Sequence, residues 1–64
     1  MADYRPAVER ELRAADCYKK RQGKGDHEIW FSPSTKLTFP VDSKIKSRHT
    51  ANGIMKRAGI QKHF

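Results

Sequence analysis

An α+β arrangement in the order α-β-β-β-α follows from three features of this 64-residue chain. Apolar residues recur at helical spacing near both ends, at Val8, Leu12 and Ala15 and again at Ala51, Ile54, Met55 and Ala58. Between them lie three short stretches separated by clusters of Gly, Pro and Ser; the second and third are rich in β-branched and aromatic residues. A three-stranded antiparallel sheet with both helices on one face buries the two stripes together and leaves its other face to solvent.

Arg5-Pro6 opens the first helix, because proline lacks an amide that would be unbonded there anyway. That helix should stop near Asp16. Residues 17–22 form the first strand, with Tyr18 as its inward anchor and Lys19-Lys20-Arg21 as an exposed, charged edge that resists strand-to-strand aggregation. Gly23–Gly25 makes a turn, residues 26–31 the second strand, and Ser32–Thr35 a hairpin loop. Residues 36–41 form the third strand, with Leu37, Phe39 and Val41 on one face; Pro40 has no amide to donate, so the strand ends there or sits at an edge. Residues 42–46 read as a basic loop. Ser47 caps the last helix, and Gly59 ends it as a left-handed residue with Ile60 packing back on Met55. Gly53 weakens that helix by about 1 kcal/mol relative to alanine, which suggests a close neighbour. Residues 61–64 are expected to fray, with His63 a solvated end.

Charge divides the chain unevenly. Residues 1–16 carry Arg5, Arg10 and Arg13 against Asp3, Glu9, Glu11 and Asp16, a net −1, whereas residues 17–64 carry eleven bases against Asp26, Glu28 and Asp42, a net +8. A near-neutral helix followed by a strongly basic body is the footprint of a polyanion binder, and a solubilising surface is the plainer reading of the same charge. No helix combines a wide apolar face with a basic one, so membrane binding is disfavoured. So short a chain builds one thin core and no deep cleft, which suits a polymeric substrate better than a small metabolite. A single cysteine, Cys17, excludes an internal disulfide, and with no signal peptide or membrane-length apolar run the expected compartment is the cytoplasm. Cys17, His27, His49 and His63 match no zinc spacing, so neither a metal nor another cofactor is expected.

The chemistry concentrates at Gly23-Lys24-Gly25-Asp26-His27. The closing Gly-Lys-Ser/Thr of a nucleotide-hydrolase phosphate loop is absent. A histidine at a loop–strand junction on a basic domain nevertheless permits one particular reaction. RNA carries a 2′-hydroxyl beside every phosphate, and an imidazole can take that proton so that the oxygen attacks phosphorus. The Gly23–Gly25 amides, with Lys24 or Arg21, are candidate donors to the developing negative charge. This route requires no metal. Asp26 and Glu28 alternate away from His27, so any carboxylate that orients it must come from a neighbouring strand. His49 is a candidate second acid/base group near a helix start. Trp30 reads as core, with base stacking as the alternative.

On these residues the chain resembles the HicA family, small mRNA-cleaving toxins of HicA–HicB toxin–antitoxin pairs. Arg21-Gln22-Gly23-Lys24-Gly25-Asp26-His27 corresponds to the family's basic strand, glycine and histidine, and Ile29-Trp30 to the strand that follows. Phe39-Pro40-Val41 and Ile54-Met55-Lys56-Arg57-Ala58-Gly59-Ile60 correspond to its Pro-Val strand end and closing Ala-Gly-Ile helix. The resemblance covers roughly residues 8–60 and implies one domain over residues 1–64 with a fold like that of double-stranded-RNA-binding domains. It further implies metal-independent mRNA cleavage, His27 as the catalytic residue, and neutralisation by a HicB-type antitoxin. Asp26 stands where the family usually has serine or threonine, and Glu28 where a second histidine is common; each adds negative charge beside the histidine. Phosphate contacts are expected from Lys19, Lys20, Arg21, Lys24, Gly25, Lys44, Lys46 and Arg48. Two other function classes fit the same charge: a non-catalytic RNA-binding module, in which these bases grip phosphates and His27 is incidental, and a docking module for an acidic protein.

Overall fold

The computed structural model describes residues 3–64. Helix α1 (Arg5–Ala14) is followed by strands β1 (Tyr18–Gln22), β2 (His27–Ser32) and β3 (Leu37–Asp42) and by helix α2 (Arg48–Ala58). The strands form one antiparallel sheet in the order β1-β2-β3, so the proline-bearing β3 is an edge. Each strand begins one residue later than the sequence pattern predicts.

Both apolar stripes meet over one sheet face. Val8, Leu12, Ala51, Ile54, Met55 and Ala58 pack with Trp30, Phe39 and Val41, all essentially buried. Trp30 is therefore core. Leu37 lies on the same face but at the sheet's end, where it is half exposed.

Helix ends follow local rules. Ser47 Oγ accepts from Thr50 N–H at 3.4 Å. Gly59 adopts φ +76°, and paired bonds from Gly59 N–H to Lys56 O and Ile60 N–H to Met55 O close a Schellman motif. The end of α1 uses the same device with Asp16 at φ +64°: Asp16 N–H reaches Arg13 O and Cys17 N–H reaches Leu12 O.

That second motif corrects the reading of β1. By tying Cys17 back to Leu12 it turns the Cys17 side chain into the core, and strand alternation then sends Tyr18 outward, where it is half exposed. Ser32 is likewise not loop. It ends β2 fully buried, and its hydroxyl donates to Ala58 O at 2.8 Å while Thr35 Oγ1 donates to Arg57 O at 2.8 Å. The β2–β3 turn thus caps the last carbonyls of α2. Gly53 has open space rather than a close neighbour around its Cα.

Two further segments are better fixed than their composition suggests. In the basic loop, Ile45 is buried; its carbonyl accepts from Tyr4 N–H at 2.7 Å and its amide donates to Asp3 Oδ1 at 3.0 Å. The tail does not fray at its end, because Phe64 N–H donates to Asn52 Oδ1 at 2.7 Å and its ring meets Tyr4 edge-on at 5.6 Å.

Candidate functional site

Strand alternation decides which residues share a face with His27. In β2, Trp30 and Ser32 face the helices, so His27, Ile29 and Phe31 face away from them. Register then places Asp42, the last residue of β3, directly across from His27. Its Oδ1 lies 2.5 Å from His27 Nδ1, and both side chains remain about half exposed, at 52% and 43%. The orienting carboxylate that the sequence left unnamed is Asp42, fifteen positions away.

The pair lines a shallow depression of about 400 Å³ together with Asp26, Ser43, Lys44 and Lys46. Lys44 and Lys46 reach it because Ile45 between them is drawn into the core, so the loop exposes its two lysines on either side of a buried anchor. The loop is held from both directions. Asp3 accepts from the Arg5 and Ile45 amides, which keeps its carboxyl below the usual range, and Ser43 N–H donates to Asp26 O at 3.2 Å.

Behind the sheet a second charge cluster fixes the same strands. The Arg5 guanidinium bonds Glu9 Oε1, Glu28 Oε1 and Asp42 O, so it grips β2 and the backbone of Asp42 at once. Burial opposes its charge, yet the bonds to Glu28 and Glu9 outweigh that and raise its pKa. Glu28 also accepts from the Trp30 indole at 2.9 Å; this bond first, and Arg5 next, hold its carboxyl below the usual range against the opposing effect of burial. Glu28 therefore adds no charge to the His27 surface: it is on the other face and already matched. Asp26 does adjoin the depression.

The expected RNA contacts are only partly brought together. Lys44 and Lys46 join His27. Lys20 and Arg21 lie on the same sheet face, on β1. Lys24 and Gly25 are exposed in the β1–β2 turn, and Arg48 is exposed in the first turn of α2. Lys19 belongs to the helix-side register opposite Trp30, where its ammonium bonds Gln22 Oε1 at 3.0 Å. The turn is not an open cradle of amides either. Gly23 N–H is committed to His27 O at 2.9 Å, and Gln22 Nε2 spans to Gly25 O and His27 O. Gly25 is required for its φ of +59°, not for space, since no atom lies within 4 Å of where a Cβ would stand.

His49 is exposed and lines two other grooves, one of them a cleft of about 910 Å³ between α2 and the tail. That cleft gathers His49, Lys56, Lys62 and His63 but no carboxylate to orient an imidazole, so the candidate site is the smaller depression. Asp42 and the outward pair Tyr18 and Phe31 were missed from sequence; the pairing of residues 27 and 42 was recoverable only with the β2–β3 register.

Fold and site together define a small basic α+β domain that displays one carboxylate-paired histidine on an open sheet. The model of the HicA toxin family of bacterial toxin–antitoxin systems matches residues 6–60, and the chain belongs to that family. No curated protein and no solved structure matches the chain. Membership makes the chain a toxin-family protein with an antitoxin counterpart. Among the described residues no helix is long and apolar enough to cross a membrane.

Proposed function

We propose that this chain is a metal-independent endoribonuclease that cleaves mRNA, with His27 as the general base, and that a HicB-type antitoxin holds it inactive in the cytoplasm by covering the His27 surface. The observation that carries this reading is the His27–Asp42 pair on an otherwise exposed face. A neutral imidazole whose Nδ1–H donates a hydrogen bond to a carboxylate keeps Nε2 free to accept a proton. Nε2 then takes the proton of a ribose 2′-hydroxyl and the 2′-oxygen bonds to the adjacent phosphorus. The bond from phosphorus to the 5′-oxygen breaks, that oxygen collects a proton from water, and the products end in a 2′,3′-cyclic phosphate and a 5′-hydroxyl. Lys44 and Lys46 face the charge that develops on the phosphate.

The test is incubation of a labelled RNA with the wild-type protein and with His27→Ala in the presence of a chelator. Cyclic-phosphate ends from the wild type and none from the variant are expected; equal cleavage by both refutes the assignment. A second reading, a non-catalytic RNA-binding module, is favoured by the absence of any acid after Asp42 against six bases in residues 43–64. It predicts salt-dependent RNA binding with no new ends.

A further inference from the structure

We propose that Tyr18 and Phe31, flanked by Lys20 and Arg21, form a base-stacking subsite on the open sheet face for a single-stranded RNA whose scissile phosphate lies at His27. The proposal rests on the reading of that surface as an RNA site. Phe31 is four residues beyond His27 on the same face of β2, about 13 Å along the strand, a distance an extended RNA covers within a few nucleotides. Tyr18 is its register partner on β1, with ring centroids 5.6 Å apart and planes tilted by 48°. Neither ring belongs to the buried core, and Tyr18 keeps 50% of its surface exposed.

The cations beside these rings are placed by an irregularity. Pairing shifts between Lys19 and Arg21, so Arg21 lies opposite Ile29 on the outer face and the Lys20 ammonium stands 5.7 Å from the Phe31 centroid. Strict alternation would send one of these two cations to the helix side. The bulge sends both outward. Thr38 and Pro40 complete the face on β3, and its strands carry one carboxylate there, Asp42, which is taken by His27. An exposed tyrosine ring beside a half-buried phenylalanine, interleaved with cations, suits bases that are free to stack and a backbone that needs neutralising. In an A-form duplex the bases are already stacked on one another and out of reach.

The probe is a fluorescein-labelled 2′-O-methyl hexaadenylate, which cannot be cut through its own 2′-oxygen, with a 2′-O-methyl RNA duplex as comparison. Tyr18→Ala, at an exposed position, is expected to weaken hexamer binding about tenfold, Tyr18→Phe to restore it, and duplex binding to be unaffected. Cleavage of an unmodified RNA by the wild type is scored apart from binding: Tyr18-dependent hexamer affinity with no cleavage removes only the nuclease reading and leaves the subsite standing. Wild-type hexamer affinity in Tyr18→Ala, or an equal loss for hexamer and duplex, overturns the subsite even if RNA is still cleaved. Loss of affinity for the antitoxin with hexamer binding unchanged assigns the rings to a protein partner and overturns it too.

Discussion

Each face of the sheet pairs a carboxylate with a nitrogen donor, one pair shielded and the other open. Glu28 and His27 are consecutive in β2, so their side chains leave the strand in opposite directions. Glu28 meets Arg5 beneath α1, where the two side chains are 20% and 14% exposed and the Trp30 indole also donates to Glu28. His27 meets Asp42 in the open, where roughly half of each side chain still faces solvent. A pair shielded from water ties elements together, and a pair left in water has little to add to stability. What the exposed pair retains is an unused ring nitrogen, which is a chemical resource. One residue's step along a strand separates a shielded pair from an open one.

The comparison breaks most visibly if either pair behaves like the other. His27→Ala should lower RNA cleavage by about 10²–10⁴-fold, the range a general base contributes, while shifting unfolding free energy by less than about 0.5 kcal/mol; a large stability loss would mean that the outer pair is structural after all. Arg5→Ala should show the reverse. It strands Glu28 and releases Asp42 O, costing about 2–3 kcal/mol in urea unfolding.

Asp42→Asn is expected to slow the chemical step by no more than the ~10²–10⁴-fold of His27→Ala, with substrate affinity retained, because the ring then loses the carboxylate that fixes its tautomer. Single-turnover rates against a binding isotherm separate the two effects. Glu28→Gln sharpens the inner half of the comparison through pH. The folded-state pKa of Glu28 is lowered, so its stabilisation is complete above the unfolded value of about 4.3 and is lost as pH falls through the folded value. The variant should therefore be about 1 kcal/mol less stable than the wild type at pH 7, and the gap should close below about pH 4. The smallest effect is expected at Asp16, whose φ of +64° suits glycine; Asp16→Gly should stabilise the chain by about 0.5–1 kcal/mol without changing cleavage.

What the chain specified by itself is what neighbours within one helical turn decide. The stripes of both helices, the Ser47 cap and the Gly59 stop were legible because each depends on residues three to five positions apart. The basic charge was legible from composition and the junction at His27 from adjacent residues. The partner of His27 was not, since Asp42 becomes its neighbour only once β2 and β3 pair in one register, and a slip of one residue would send it to the other face. Ile45, read as loop, is buried because Asp3 and Tyr4 strap it down from the far end of the chain. Tyr18 turned outward because Cys17, through the turn at Asp16, took the inward place. Spacing along a sequence fixes short-range geometry, whereas burial and cross-strand partners depend on long-range packing, and here that packing decided which carboxylate faces the imidazole.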